Sequence, residues 1–433
     1  MNPASPDRRP AISYGGGVPI DAAHPRTLRA ALIRAARDFP ECGIRVVDAD
    51  GREQFLDYPS LLARGEATVA GLRARGLQSG SYVILRIAAG SEFWPVFVGC
   101  VLGGMVPLTV GALSGYDSDA PGVGALLHAW RKLGEPVVVG GSDDLEVLAG
   151  LAVRDRVVAV SELTTVGEDR RPGRIPDEAG QDDPDPAAVA LLQLSSGSTG
   201  TPKIMPLTHR ALAENAIGAR EMLDIGPSDV LLNWLPLDHS AGLLLYHVAG
   251  VFLGVTSVNV ATELVLADPL RWLELMRRHR VTHSWAPNFG LRLVAEAAAR
   301  TPERQWDLRG VRCMVSGGEQ CLPETIEAFL AASGLPAAAV RPAWGMSETT
   351  TGITYASYGA PVPSTASVRP VWTGTWNGQP GRTPRKRHRV PLRRTAGPGG
   401  DRADRRPQRG GTSRGSHRSP PALVGPGHSR IPR

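Results

Sequence analysis

The stretch that decides the fold of this chain is residues 191–203, which read Leu-Leu-Gln-Leu-Ser-Ser-Gly-Ser-Thr-Gly-Thr-Pro-Lys. Its first part continues an apolar run from Ala187 to Leu194, and a short apolar run with sharp ends is typical of a buried strand. From Ser195 to Lys203 every residue is Ser, Thr, Gly, Pro or Lys. Such a segment offers backbone N–H groups, hydroxyl donors and a cation. It therefore predicts a phosphate-binding loop directly after a strand.

This loop is not the common P-loop, because Pro202 precedes the lysine at the position where that motif has glycine. The structural alternative is a flexible Gly/Ser linker. A linker would not follow a buried strand directly, carry Pro-Lys and lead into a helical pattern after Thr208. The context therefore favours phosphate binding.

Helical and strand patterns alternate on both sides of the loop. The predicted strands are 43–47, 54–58, 82–87, 106–110, 230–235, 256–260, 283–285, 311–316 and 340–343. The predicted helices begin near residue 27 and continue with 60–75, 91–103, 242–253, 269–279, 288–299 and 323–332. This alternation predicts an α/β fold of two facing, doubly wound lobes with mainly parallel sheets.

Composition divides the chain into five predicted segments. They are a loose N-terminal arm (1–26), a first α/β lobe (27–165), an acidic linker rich in Pro and Gly (166–186), a second α/β lobe (187–368) and an Arg/Gly/Pro-rich tail (369–433). The tail cannot bury enough apolar surface to offset its ordering entropy, so we expect it to be disordered.

The charge of the chain is concentrated in that tail. The 433 residues have a net charge of +6, but residues 369–433 carry 15 Arg, 1 Lys and 2 Asp. The remainder is therefore net acidic. A protein that binds nucleic acid through its folded part is disfavoured, and only the tail could bind nucleic acid, non-specifically.

Cysteine usage and hydropathy indicate a cytoplasmic chain. The four cysteines are too few and too scattered for a disulfide framework, and no Cys-x-x-Cys pair suggests zinc. Residues 1–17 lack the apolar core of a secretory signal. The uncharged run Phe93–Ala112 is long enough to span a membrane, but it contains Pro95, Pro107 and several glycines. We expect a buried helix, a turn and a buried strand there instead.

The loop at 195–203 resembles the phosphate-binding signature of the adenylate-forming enzymes, which include acyl-CoA synthetases, fatty-acyl-AMP ligases and adenylation domains of peptide synthetases. Three further segments are similar to family motifs: 341–349 (Arg-Pro-Ala-Trp-Gly-Met-Ser-Glu-Thr), 315–319 (Val-Ser-Gly-Gly-Glu) and 234–242 (Trp-Leu-Pro-Leu-Asp-His-Ser-Ala-Gly). The segment 285–290, Trp-Ala-Pro-Asn-Phe-Gly, is similar to fatty-acyl-AMP ligases and to loading ligases of polyketide assembly lines. The resemblance covers roughly residues 27–365.

The resemblance implies a two-substrate reaction. A carboxylic acid, fatty or other acyl, reacts with ATP and Mg²⁺ to give acyl-AMP and pyrophosphate, and the acyl group then passes to a carrier-protein or CoA thiol. The reaction brings two anions together, so positioning and electrostatic stabilisation must carry the catalysis.

The resemblance also implies roles for individual residues. The expected phosphate-binding residues are Ser195, Ser196, Gly197, Ser198, Thr199, Gly200 and Lys203. The expected adenine and α-phosphate contacts are Gly317, Gly318, Glu319, Trp344, Gly345 and Ser347. Glu348 is expected to hold Mg²⁺, His239 to stand at the mouth of the carboxylate pocket, and Phe289 and Gly290 to line the acyl pocket. His239, Lys203 and Glu348 are the expected catalytic residues.

Each of these motifs has a structural alternative. His239 could be a polar helix cap, and 317–318 an ordinary turn at a strand end. Pro287 could begin a helix whose Phe289 packs in the core. The motif at 344–348 could be a turn at a strand end, although its distance from the loop matches the family.

The sequence departs from the family after about residue 365. The family's Thr-Gly-Asp motif and late catalytic lysine are not found, since Thr375 follows Thr373-Gly374 and Lys386 lies in an Arg-rich run. One hypothesis is an out-of-frame reading of a GC-rich gene beginning near 367–370. We expect this chain to be impaired in turnover, and the alternatives are a nucleotide- or acid-binding pseudoenzyme and a nucleic-acid-binding tail.

Overall fold

The computed structural model describes residues 24–88, 90–111, 121–164, 183–195 and 202–359. The phosphate loop 196–201, nearly all of the predicted N-terminal arm and linker, and the predicted tail lie outside the described residues. The described residues all belong to one compact unit.

The described chain alternates strands and helices, as the sequence pattern predicts. The strands are β1 (Gly43–Val47), β2 (Glu53–Asp57), β3 (Tyr82–Arg86), β4 (Val106–Thr109), β5 (Val137–Gly140), β6 (Val157–Ala159), β7 (Val189–Ser195), β8 (Lys203–Thr208), β9 (Val230–Asn233), β10 (Thr256–Val260), β11 (His283–Ala286), β12 (Cys313–Ser316), β13 (Val340–Gly345) and β14 (Gly352–Tyr355). The α-helices are α1 (Leu28–Asp38), α2 (Tyr58–Ala74), α3 (Gly90–Leu102), α4 (Pro121–Lys132), α5 (Leu145–Ala149), α6 (Val160–Thr164), α7 (His209–Leu223), α8 (Ala249–Leu253), α9 (Thr262–Ala267), α10 (Leu270–Arg278), α11 (Asn288–Ala299) and α12 (Pro323–Ser333).

Two sheets organise these strands, which confirms the predicted α/β class. The larger sheet has the order β14-β13-β12-β11-β9-β10-β1-β2, and the smaller has the order β6-β5-β3-β4-β7-β8. Parallel pairs dominate both sheets, and the antiparallel pairs β1–β2, β7–β8 and β13–β14 are formed by strands that follow each other along the chain.

Each of the two sheets contains strands from both halves of the chain. β1 pairs in parallel with β10, so residues 43–57 belong to the sheet of the second half of the chain. Conversely, β7 pairs with β4, and β8 pairs with β7, so residues 189–208 belong to the sheet of the first half. Each of the strands β1 and β7 has one neighbour that follows it along the chain and a second neighbour, β10 or β4, from a distant segment.

The described part of the uncharged run, residues 93–111, folds as expected. It supplies most of α3, a turn, and the buried strand β4. Phe93, Trp94 and Phe97 of α3 are all buried and contact one another through their rings. No helix in the described ranges is long and apolar enough to cross a membrane.

The helix predicted over 242–253 begins as a π-helix, Ala241–Val248, and continues as α8. The wider turn places His247 inside the core, where its Nδ1 lies 2.9 Å from the Ser257 hydroxyl and its ring contacts Trp94. Burial lowers the pKa of His247 to about 3. π-Helical turns are frequent at functional sites, and this one directly follows His239 and Ser240.

Candidate active site

The two ends of the predicted phosphate loop are fixed by a β-hairpin. Ser195, the last residue of β7, pairs with Lys203, the first residue of β8. The sequence pattern did not predict β8, because Lys-Ile-Met-Pro-Leu-Thr carries no clear alternation. Ser196, Gly197, Ser198, Thr199 and Gly200 lie outside the described residues, so their phosphate contacts stay predictions. Lys203 has an exposed side chain at the end of this hairpin.

Glycines let the backbone approach closely where adenine is expected. A Cβ at Gly317 would lie 2.8 Å from the Ala343 carbonyl oxygen, and Gly318 has φ +84°. A larger residue at either position would clash or strain the backbone. Trp344, on the adjacent strand β13, leaves 60% of its surface exposed. An exposed indole beside a glycine-lined strand end is chemically suited to pack on a purine ring.

Glu319 makes a contact that the sequence did not predict. Its Oε1 accepts a hydrogen bond of 2.6 Å from the backbone N–H of Phe289, in the first turn of α11. A carboxylate at a helix N-terminus stabilises the unpaired N–H groups there. This hydrogen bond therefore links the loop that contains Gly317 and Gly318 to α11, the helix that contains Phe289 and Gly290.

Ser347 and Glu348 lie on a short 3₁₀ turn, Ser347–Thr349, that packs against β7. The Ser347 hydroxyl lies 3.5 Å from the Ser240 hydroxyl. Thr351 donates a hydrogen bond of 2.9 Å to Asn215 of α7, which holds the segment after the turn in place. These contacts bring the predicted α-phosphate motif next to the predicted carboxylate motif, although the two are 107 residues apart.

The Glu348 carboxylate is exposed. Within the described ranges no group of three or more acidic, His or Cys side chains could hold a metal ion on its own. Mg²⁺ commonly takes one or two protein carboxylates and completes its shell with phosphate oxygens and water. A single exposed glutamate next to Ser347, the predicted α-phosphate contact, therefore fits Mg²⁺ brought in by a nucleotide. The ion would neutralise phosphate charge there.

His239 lies against Trp285, with ring centroids 6.0 Å apart and the planes inclined by 28°. Its Nδ1 accepts a hydrogen bond of 3.2 Å from the backbone N–H of Ala241, which is the capping contact anticipated as a structural alternative. This bond places the proton of the neutral ring on Nε2. The surrounding protein lowers the pKa of His239, and the neighbouring Asp238 carboxylate opposes that shift. The ring is thus neutral near pH 7 and can donate through Nε2.

Asp238 is a charged neighbour that the motif comparison did not single out. Burial raises the pKa of Asp238, whereas His239 and Arg86 act to lower it. Its carboxylate packs on Gly111, where a Cβ would clash with the carboxylate oxygens. Arg86 itself is buried and forms an ion pair of 2.6 Å with Asp144.

The predicted acyl pocket ends in a packed aromatic cluster. Phe289 is 36% exposed and contacts the indole of Trp234 edge to face, with centroids 6.1 Å apart. A Cβ at Gly290 would lie 2.8 Å from Trp234 Cζ2. Trp234 is fully buried and packs on Trp272, which stacks on Phe329. The space behind Gly290 is therefore filled by aromatic rings.

The sequence matches the family described as AMP-binding enzyme over residues 32–375. The chain belongs to this family, which confirms the resemblance drawn from the motifs.

One relative, microperfuranone synthase of Emericella nidulans, is 29% identical over 318 residues, which is 69% of this chain and 32% of that protein. A solved adenylation domain of a keto acid-selecting NRPS module, bound to keto acyl adenylate, has 31% identity and a TM-score of 0.73, covering 80% of this chain and 62% of that one. A fatty acyl-adenylate ligase from L. pneumophila has a TM-score of 0.69 at 20% identity, covering 78% of this chain and 58% of that one, and shares the fold. The chain thus spans about a third of the curated relative's length.

Proposed function

We propose that this chain activates a compact carboxylic acid with ATP and Mg²⁺, forming acyl-AMP and pyrophosphate. The observation that carries the proposal is the contact between Ser240 and Ser347, which joins the predicted carboxylate segment to the predicted α-phosphate segment. The strand β7 lies against the same turn. Acid and nucleotide must meet at such a point for the carboxylate oxygen to reach the α-phosphorus.

In this proposal the described residues bind and orient the two anions. The neutral His239 donates from Nε2 to the incoming carboxylate, and Ser347 donates to an α-phosphate oxygen. Lys203 and Mg²⁺ held by Glu348 offset the charge of the leaving pyrophosphate, where electrostatic stabilisation is most effective. Trp344 and the backbone of 317–318 hold the adenine.

The packing behind Gly290 favours an acid of limited length. The packed rings of Trp234, Trp272 and Phe329 lie behind Gly290, which disfavours an extended alkyl chain there. An aromatic or short branched acid could pack between Phe289 and the His239–Trp285 pair. The adenylation domain that shares 31% identity is described as keto acid-selecting, which supports an α-keto or α-amino acid over a long fatty acid. The acceptor we propose is the thiol of a carrier protein, with CoA as the alternative.

A mass-spectrometric screen for acyl-AMP tests this proposal. Phenylpyruvate, phenylalanine, benzoate and 4-methyl-2-oxopentanoate would be compared with octanoate and palmitate, each with Mg-ATP. We expect acyl-AMP from a compact acid and none from palmitate. Trp234→Ala should enlarge the pocket and extend activity toward octanoate, whereas Trp306→Ala, a half-buried tryptophan elsewhere, should not.

Palmitoyl-AMP as the main product would refute the compact-acid proposal. Nucleotide binding without acyl-AMP from any acid would favour the binding-only alternative.

A further inference from the structure

A buried amide of β7 has no hydrogen-bond partner. Gln193 is 0% exposed, and neither its Oε1 nor its Nε2 has a partner among the described residues. A buried unpaired amide lowers the stability of a fold, so it is uncommon in native proteins. Its neighbours along the chain, Ala190, Leu191, Leu192 and Leu194, are all apolar.

The other buried side-chain amides of the described chain are all bonded. Asn233 donates to the Leu235 carbonyl oxygen at 2.8 Å and accepts from Trp285 Nε1 at 2.8 Å. Asn259 accepts from Trp94 Nε1 at 3.1 Å, and Asn288 accepts from the backbone N–H of Leu322 at 2.9 Å. Gln193 is thus the exception within the described ranges.

The strand register shows which face Gln193 occupies. Leu191, on the same face, packs in the buried cluster that contains Leu243 and Leu244 of the π-helix. Leu192 packs on the opposite face with Leu108. Because Leu108 pairs with Leu192, the next position places Thr109, a buried hydroxyl, beside Gln193. The side chains of Thr109 and Gln193 therefore lie next to each other on the same face of the smaller sheet as Leu191.

Along the strand, Gln193 lies two residues before β7 ends at Ser195. The turn that carries Ser347 packs against this strand. Ser347 in turn contacts Ser240, immediately before the π-helix. Gln193 therefore belongs to the strand against which the candidate α-phosphate turn packs, two residues before the strand ends at the predicted phosphate-binding residue Ser195.

We propose that Gln193 is a ligand-binding residue whose Nε2 donates to an oxygen of the nucleotide α-phosphate, while its Oε1 accepts from the Thr109 hydroxyl. The amide is buried in the free chain, so the ligand reaches it through a rearrangement of the cleft. The unpaired amide then costs stability in the free chain and contributes affinity in the complex. This inference rests on the proposed nucleotide site but not on the identity of the acid.

Gln193→Leu tests the inference because it should increase the stability of the free chain and decrease its affinity for AMP. Removing an unpaired buried amide should raise the melting temperature of the free chain by about 2–4 °C. Removing a hydrogen bond to a charged oxygen should weaken AMP binding about ten-fold or more, measured by isothermal titration calorimetry. Binding of adenosine, which lacks the phosphate, should not change. Gln193→Met is the second variant, with the same expectations.

Asn233→Leu is the matched control, since that buried amide is fully bonded and its loss should lower the melting temperature. The inference is wrong if Gln193→Leu and Gln193→Met bind AMP as the unmodified chain does, if they lose AMP and adenosine equally, or if their melting temperatures fall as in the control. An unmodified chain that binds neither AMP nor Mg-ATP would overturn the proposed function together with this inference. Weaker AMP binding by the two Gln193 variants, with adenosine binding unchanged, supports both the proposed function and this inference.

Discussion

At the scale of single residues, the candidate site depends on side chains that the fold leaves free for a ligand. Trp344 is largely exposed, and the carboxylate of Glu348 faces solvent. His239, in contrast, is held by Trp285 and by the backbone of Ala241. The groups expected to bind the nucleotide and Mg²⁺ are therefore free, whereas the group expected to orient the acid is held in place.

Glu348→Gln should remove the Mg²⁺ dependence of ATP binding, because an amide is a poor ligand for a hard cation. Calorimetric titration of ATP with and without Mg²⁺ measures this. The unmodified chain should bind Mg-ATP more tightly than ATP, and the variant should bind both alike. Glu303→Gln changes another exposed glutamate and should behave as the unmodified chain does. Full retention of the Mg²⁺ effect in Glu348→Gln would show that the ion is held elsewhere.

Lys203→Ala should weaken ATP binding more than AMP binding, since the lysine follows the loop expected to hold the β- and γ-phosphates. A charge-assisted contact of this kind contributes about 1.5–3 kcal/mol, so a loss of about ten-fold or more in ATP affinity is expected. Lys132→Ala, at the exposed end of α4, is the control. Equal losses for ATP and AMP would contradict the position given to Lys203.

At the scale of elements, the sequence predicted most helices and strands to within a few residues. Periodicity and turn residues are local signals, and α11 begins and ends where they indicated, at Asn288 and Ala299. The elements between residues 121 and 164, the strands β8 and β14, the helix α9 and the π-helical start before α8 were not predicted. Of these, β8 and the π-helical start have no distinct local pattern, because β8 is fixed by its register with β7 and the π-helix by the packing of His247 in the core.

Contacts within the site could not be predicted from spacing. Motif positions indicated that segments 234–242 and 341–349 belong to one site, but not that Ser240 would meet Ser347. The bond from Phe289 to Glu319 likewise joins two segments whose relation depends on the pairing of β11 with β12. Such contacts follow from the sheet order, which local signals do not contain.

The start of α11 provides an element-scale prediction. Gly290→Ala should lower the free energy of unfolding by about 1–3 kcal/mol, because the new methyl group would press on the Trp234 ring. Gly250→Ala, in α8, would place its Cβ 3.6 Å from the nearest atom, so it should be neutral or stabilising by up to about 1 kcal/mol. Urea denaturation of both variants measures the difference. If Gly290→Ala leaves the free energy of unfolding unchanged, the aromatic side chains can move to make room for the methyl group. The argument that this cluster limits the length of the acid would then fail.

At the scale of the whole molecule, the two sheets are joined by exchanged strands. β1 and β2 extend the larger sheet, and β7 and β8 extend the smaller one. Separating the halves of the chain at 166–186 would therefore remove strands from both sheets. The core between the sheets also contains histidines at positions 209, 247 and 283 that are buried, and burial lowers the pKa of each.

This burial predicts acid sensitivity. A histidine with a lowered folded pKa favours the unfolded state as soon as pH falls below its unfolded pKa. For His247 the folded pKa is about 3 against an ordinary 6.5, so stability is fully present above pH 6.5 and declines as pH falls toward 3. By pH 5 the loss from this residue is about 2 kcal/mol.

Urea denaturation at pH 7.5 and pH 5.0 measures this loss. His247→Gln should lose less stability than the unmodified chain over that interval, by about 2 kcal/mol. His128→Gln, which changes a half-buried histidine of α4, should lose as much stability between pH 7.5 and pH 5.0 as the unmodified chain does. An unchanged pH dependence in His247→Gln would show that other groups cause the acid sensitivity.

The central claim, that this chain holds a Mg-ATP site, is tested most directly by thermal unfolding with and without millimolar Mg-ATP. Ligand at about a hundred times Kd stabilises the folded state by about 2.7 kcal/mol, so the melting temperature should rise measurably in the unmodified chain. The rise should be smaller for Lys203→Ala and for Glu348→Gln. A melting temperature that does not change with Mg-ATP, in protein shown to be folded, would contradict the account of the site.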